Sequence, residues 1–160
     1  DKVYLQSFDV DELKRINGEL MPALGMDLKL VQLMAETDWN ETMVYDTKGK
    51  ATPYDYDWMF KPGAMKTIAG YADGIGPWKP MIVTEPGTLG KPVFTTMVKE
   101  AHAAGLKVHP YTFRQDQGQI PAYAKDFTDL LNIFLYQADV DGVFSDFPDK
   151  AVAVIKAHGK

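Results

Sequence analysis

The chain has 160 residues, of which 46% are hydrophobic, so it is long enough and apolar enough for one folded domain and unlike a disordered segment. A net charge of −5 argues against nucleic acid or an anionic membrane as a partner, since both attract clustered lysine and arginine. The absence of cysteine excludes disulfides, thiolate zinc sites and cysteine nucleophiles, and no apolar run approaches the roughly 20 residues of a membrane span.

The first predicted elements are a strand, a helix and a second strand. Val3–Phe8 is a short β-rich run, and Asp9 is placed to cap a helix that the apolar spacing predicts from Val10 to about Leu20. Leu28–Met34 predicts the second strand. Because the chain opens almost inside a strand, we expect it to be a piece of a longer protein.

A long polar and aromatic stretch follows, from Ala35 to Phe60. Between Tyr54 and Phe60 aromatic residues alternate strictly with others, which fits either an edge strand or a loop packed over strand ends. Glu36 and Asp38 have a two-residue acidic spacing, which fits either a shared divalent cation or a solvated acidic loop.

The rest of the chain repeats the strand and helix pattern. The predicted elements are a helix opened by Pro62 and Gly63, a strand at Asp73–Pro77, a helix from Pro92 to Ala104, a strand at Leu106–Phe113, a helix at about 126–138, a strand at Gly142–Ser145 and a helix from Pro148 to about Ala157. Short strands with apolar residues on both faces indicate a parallel sheet covered by helices. Both a doubly wound sheet and a (β/α)8 barrel fit this pattern.

Binding residues in such folds lie beyond the carboxyl ends of the strands. Asp146 ends the last predicted strand, and it is either a pocket carboxylate or a side chain that satisfies free amides at the start of the next helix. Of His102, His109 and His158, only His109 falls on a predicted strand, where a packing role and a catalytic role both remain open. No Ser/His/Asp set follows from the spacing.

Several motifs resemble those of a known family in the same order. VYLQSFD at the first strand, VHPYTFR at the fourth and VDGVFSDFPDKA at the last resemble the closing strands of glycerophosphodiester phosphodiesterases. LVQLMAETDWNET, YDYDWMFKPGAMK and YADGIGP resemble the insertion and following strand of the periplasmic branch. The resemblance implies an α/β fold that is the C-terminal part of a (β/α)8 TIM barrel of the phospholipase C-like type. Residues 1–160 would then be the C-terminal segment of a single phosphodiesterase domain, with a long insertion at about 35–60.

The resemblance also implies an enzyme, a phosphoric diester hydrolase that converts glycerophosphodiesters to glycerol 3-phosphate and an alcohol. The family uses two histidines for acid–base chemistry and a divalent cation, commonly calcium in this branch. The family's His-Arg-Gly motif is absent, because the histidines here precede Ala103, Pro110 and Gly159. We therefore expect the catalytic histidines and the calcium ligands to lie outside this segment. The resemblance further implies a periplasmic location and an inactive isolated segment.

A few site residues carry over by resemblance. Gln6, Phe8 and Tyr111 are expected to bind the substrate, with Phe8 and Tyr111 at the alcohol end of the pocket. Tyr111 and Arg114 stand where the family has tryptophan and asparagine. Asp146 is expected to brace the pocket from behind the residues that touch the ligand. No metal ligand is assigned, since Glu36 and Asp38 fall in the late insertion.

Partners follow from the same reasoning. The edge strands of a partial barrel invite pairing, so we expect the missing N-terminal half or a second chain to cover them. An alternative of another class is a non-catalytic α/β module that binds a small ligand or partner through its aromatic loop.

Overall fold

A computed structural model describes residues 3–159 as a mixed α/β protein. Its strands are β1 (Tyr4–Ser7), β2 (Lys29–Leu33), β3 (Met43–Tyr45), β4 (Ala51–Pro53), β5 (Gly74–Gly76), β6 (Val83–Thr88), β7 (Lys91–Phe94) and β8 (Lys107–Val108). Its α-helices are α1 (Val10–Arg15), α2 (Met21–Leu24), α3 (Ala64–Ile68), α4 (Met97–Ala103), α5 (Phe127–Asn132) and α6 (Pro148–Ala157). Within this range, no helix has the length and apolar character needed to cross a membrane.

The chain divides into two compact units, and the first comprises residues 1–76 and 101–107. Its centre is a parallel sheet in the order β1-β2-β5-β8, in which β1 pairs with β2 and β2 with β5. Leu30, Val31 and Ile75 are almost completely buried on these strands. The predicted parallel sheet with apolar residues on both faces is thereby confirmed.

The first helical region begins where the sequence predicts and ends later. The Asp9 carboxylate accepts a hydrogen bond from the Glu12 amide at 3.0 Å, and therefore caps α1 as expected. The helix continues past Leu20, because the π-helical turn Ile16–Leu20 joins α1 to α2. It stops at Gly25, whose φ of +62° suits the left-handed cap that glycine adopts without strain.

The insertion at about 35–60 has more regular structure than the sequence predicts. Strands β3 and β4 form an antiparallel hairpin. The edge-strand alternative for the aromatic run is wrong, since Asp57–Phe60 is a 3-10 helix. The Asp55 carboxylate accepts a hydrogen bond from the Asp57 amide at 2.9 Å, and this local contact turns the backbone away from an extended conformation.

The second unit comprises residues 77–100 and 108–160. Strands β6 and β7 form an antiparallel hairpin that the sequence reading missed. The prediction that Pro92 opens a helix is wrong, because Pro92 lies within β7. Helix α4 begins only at Met97, after Thr95, whose hydroxyl accepts a hydrogen bond from the Met97 amide at 3.4 Å.

Two predicted strands in this part of the chain are reduced to short contacts. Strand β8 is only two residues long, and the segment after it makes single parallel bridges, from Tyr111 to Trp78 and from Phe113 to Ser145. Of the predicted strand at Gly142–Ser145, only Ser145 pairs, through the single bridge to Phe113. Helix α6 has the predicted bounds.

Candidate functional site

A cavity of about 630 Å³ in the first unit lies at the carboxyl end of β1. Its walls include Gln6, Ser7 and Phe8 from the strand end, and residues 41–43 and 45 from the insertion. Gln6 is exposed and Phe8 is half-buried. The structure therefore brings together two of the sequence-predicted substrate residues, at the sheet edge where parallel α/β proteins bind ligands.

Buried polar side chains surround the backbone behind this cavity. The Gln32 side-chain amide donates hydrogen bonds to the carbonyls of Ser7, Phe8 and Leu33, at 3.3, 3.1 and 2.9 Å. The Tyr71 hydroxyl donates to the Gln32 side-chain oxygen at 3.0 Å. Gln32 is fully buried. The sequence signal for such a buried hydrogen-bonding group is a polar side chain inside the apolar run LVQLM.

Tyr56 reaches the same strand end from the insertion. Its hydroxyl lies 3.0 Å from the Phe8 carbonyl and 2.8 Å from the Thr42 hydroxyl. The side chain is 1% exposed, and burial raises the pKa of its hydroxyl above the usual range. Tyr56 therefore keeps its proton at neutral pH and serves as a hydrogen-bond donor.

A second cavity in the first unit, of about 590 Å³, is acidic. Glu36, Asp38 and Asp57 contribute to its lining. The Thr37 hydroxyl donates to the Asp57 carboxylate at 2.8 Å. Across residues 3–159, no three histidine or acidic side chains are grouped so that they could hold a metal ion.

Tyr111, the third sequence-predicted substrate residue, lies in the second unit. Its amide donates to the Pro77 carbonyl at 3.1 Å, and its own carbonyl accepts from the Lys79 amide at 3.2 Å. The ring is half-buried. These bonds fix its backbone beside the segment that follows β5.

Lys79 is a buried cation that the sequence reading missed. Its side chain donates a hydrogen bond to the Thr112 carbonyl, and its ammonium lies 5.4 Å from the centre of the Phe113 ring. Burial lowers the pKa of Lys79 below its usual value, although the Glu85 carboxylate acts in the opposite direction. Both Lys79 and Glu85 line a cavity of about 670 Å³. The signal available in the sequence was a lysine two residues after the predicted strand Asp73–Pro77.

Asp146 forms an ion pair rather than a helix cap. Its carboxylate lies 3.3 Å from the Arg114 guanidinium, which also contacts Asp116 at 3.0 Å. The capping alternative is wrong, because the residue that precedes α6 is Phe147 and no side chain caps the helix. The Phe147 amide donates instead to the Ser145 hydroxyl at 3.0 Å. About half of the Asp146 side chain is exposed.

Two of the histidines pack against neighbours within the second unit. His109 lies beyond the end of β8, with its ring next to Gly142 and edge-on to Phe144 at 6.3 Å between centroids. His158 stacks on Tyr136 with 3.9 Å between ring centroids. These contacts favour the packing alternative for His109.

The parallel sheet and its flanking helices define an α/β protein, and the cavity lies at the carboxyl edge, where proteins of this class bind their ligands. The sequence model of the glycerophosphoryl diester phosphodiesterase family matches residues 1–150, and the chain belongs to this family. The family resemblance of the strand motifs is thereby confirmed.

Two curated relatives match almost the whole chain. A protein of Haemophilus influenzae named glycerophosphodiester phosphodiesterase is 48% identical over 98% of this chain and 43% of its own length. A protein of the same name from Treponema pallidum is 41% identical over 95% of this chain and 42% of its own length. The chain thus spans less than half the length of these relatives.

Proposed function

We propose that this chain is part of a glycerophosphodiester phosphodiesterase, which hydrolyses glycerophosphodiesters to glycerol 3-phosphate and an alcohol. The observation that carries the proposal is the cavity at the end of β1, which is lined by Gln6 and Phe8 of the family-like motif. The similarity of almost the whole chain to parts of two proteins of that name supports it. The proposed parent fold is a (β/α)8 barrel, and the proposed location is the periplasm.

In this proposal the chain supplies binding surface rather than the reacting groups. Phe8 contacts the alcohol part of the substrate through its ring, and Gln6 offers a polar contact. Tyr111, in the second unit, keeps the substrate-binding role that the resemblance implies. Asp146 acts through Arg114, whose guanidinium it holds together with Asp116. The roles of Gln6, Phe8 and Tyr111 are those that the family resemblance implies, and the contact with Arg114 is what the structure adds to the expected bracing role of Asp146.

The residues that the structure describes do not fit the family's metal site, because they contain no group of three potential ligands. By the family resemblance we assign the divalent cation, proposed to be calcium, and the acid–base histidines to residues outside this segment, since the family's His-Arg-Gly motif is not in this sequence. No catalytic step is attributed to a metal bound by this chain.

The test uses the full-length protein that contains this chain. We expect it to release glycerol 3-phosphate from glycerophosphocholine, and we expect a calcium chelator to abolish the reaction. Phe8→Ala should lower kcat/KM about tenfold, since an aromatic contact with the alcohol is lost. The control is Phe94→Ala, which removes a partly exposed ring from β7 and should change kcat/KM by less than about twofold.

Two results would contradict this proposal. A full-length protein that releases no glycerol 3-phosphate would favour the non-catalytic binding module. An active protein in which Phe8→Ala and Phe94→Ala behave alike would remove Phe8 from the binding surface.

A further inference from the structure

The carbonyl of Phe8 receives two side-chain donors from different parts of the first unit. Gln32 on β2 donates at 3.1 Å, and Tyr56 in the insertion donates at 3.0 Å. A carbonyl oxygen has two lone pairs, so these two donors satisfy it completely. The backbone that carries the Phe8 ring is therefore fixed from two directions.

The orientation of the Gln32 amide is determined by its neighbours. The Tyr71 hydroxyl donates to the side-chain oxygen at 3.0 Å, so the nitrogen must face the carbonyls of Ser7, Phe8 and Leu33. Carbonyl oxygens only accept hydrogen bonds, so the amide cannot turn over without leaving these groups unpaired. In a buried site such a loss is costly, which makes the arrangement stiff.

Tyr56 also joins the two walls of the cavity at the end of β1. A hydroxyl has one proton, so when Tyr56 donates to the Phe8 carbonyl it accepts from the Thr42 hydroxyl, 2.8 Å away. Both Phe8 and Thr42 line that cavity, Phe8 from the strand end and Thr42 from the insertion. The insertion is therefore tied to the strand end through one buried phenol.

We infer that Gln32 and Tyr56 are positioning residues that hold the Phe8 backbone and residue 42 in register, and that they thereby set discrimination between alcohol groups of the substrate. Neither side chain lines the cavity itself, so both act through the residues that do. The inference rests on the proposed function, and it assigns to the insertion a part in substrate selection.

Tyr56→Phe and Tyr123→Phe form a matched pair of variants. Each removes one hydroxyl from a buried tyrosine, but the Tyr56 hydroxyl touches the Phe8 carbonyl, whereas the Tyr123 hydroxyl makes no hydrogen bond with the residues that the structure describes. The readout is the ratio of kcat/KM for glycerophosphocholine to kcat/KM for glycerophosphoglycerol, measured on the full-length protein. This ratio does not depend on the fraction of enzyme that is folded, so lost stability alone leaves it unchanged.

We expect Tyr56→Phe to change that ratio by about threefold or more, because a shifted aromatic wall meets the two alcohols differently. Tyr123→Phe should leave the ratio within about 1.5-fold of the parent, since its hydroxyl bonds to neither Gln32 nor the Phe8 carbonyl. Gln32→Met should shift the ratio in the same direction as Tyr56→Phe. An unchanged ratio in Tyr56→Phe, or an equal change in Tyr123→Phe, would overturn the inference in an active parent. An inactive parent would instead overturn the proposed function, and this inference with it.

Discussion

Among individual residues, Lys79 shows how burial changes the behaviour of a charged side chain. It is 8% exposed, and its positive charge is balanced only in part, by the Thr112 carbonyl and the face of the Phe113 ring. Because burial lowers its pKa, the folded protein binds this proton less tightly than the unfolded chain does. The charged form therefore costs folding free energy at neutral pH.

This cost predicts a pH dependence of stability. Between the lowered pKa and the usual value of 10.5, the unfolded state binds more protons, so the Lys79 contribution to the free energy of unfolding rises with pH. We expect the parent to gain stability relative to Lys79→Met between about pH 7 and about pH 10. Denaturant titrations of both proteins at each pH measure this difference, with Lys99→Met as the exposed-lysine baseline. A difference that falls as pH rises would contradict the predicted direction.

Asp146 illustrates what a strand-end motif does and does not predict. The sequence placed it at the end of a strand, and its contact with Arg114 fits a bracing role. Its side chain is about half exposed, so the ion pair contributes little to stability. We expect Asp146→Ala to change the free energy of unfolding by less than about 1 kcal/mol, as measured by denaturant titration. A larger loss would mean that the carboxylate has a structural role beyond this pair.

At the scale of elements, two backbones in the parallel sheet approach so closely that one position has no room for a side chain. A side-chain carbon added at Gly74 on β5 would lie 2.8 Å from the Lys107 carbonyl oxygen. Because that neighbour is backbone, it moves only if the sheet deforms. Gly74, the first glycine of the motif YADGIGP, is therefore required by packing in the first unit.

A pair of glycine variants tests this demand. Gly74→Ala should lower the free energy of unfolding by about 2 kcal/mol, because the added methyl group overpacks the sheet. Gly18→Ala is the matched control, since Gly18 lies in the π-helical turn with nothing within 4 Å, and it should raise stability by about 0.5 kcal/mol. Equal stabilities of the two variants in chemical denaturation would contradict the packing argument.

Element predictions succeeded where a local signal decides the structure. The Asp9 cap and the bounds of α6 follow from residue types within a few positions. Pro92 misled because proline suits a helix start and an irregular hairpin strand equally well. The pairing of β6 with β7 decides in favour of the strand, and it involves residues of β6 that a helix prediction starting at Pro92 does not consider.

For the whole molecule, the exposed edge of the sheet affects whether the isolated chain associates with other chains. Within the described range β1 is an edge strand of the four-stranded sheet; its first residue, Tyr4, is 39% exposed, and the preceding Val3 is 62% exposed. An exposed apolar edge strand is a site for pairing with another chain. Together with the proposed function, this suggests that the rest of the parent protein covers the edge.

The prediction is that the purified 160-residue chain neither hydrolyses glycerophosphocholine in calcium nor remains a monomer at micromolar concentration. Size-exclusion chromatography with light scattering and a glycerol 3-phosphate assay measure both properties. Co-expression with the remaining part of the full-length protein should restore activity and give a single complex. Calcium-dependent hydrolysis by the isolated chain would refute the assignment of the reacting groups to another segment.

The sequence by itself determined the strand and helix alternation, the parallel sheet and the family, because periodicity, caps and motifs depend on short stretches of chain. Only the tertiary structure decided which polar residues meet. Tyr56 reaches the Phe8 carbonyl across 48 positions, and Lys79 reaches the Thr112 carbonyl across 33. Such contacts depend on how elements pack, so no local pattern encodes them. The strand-end residues were therefore predictable, whereas the buried groups that position them were not.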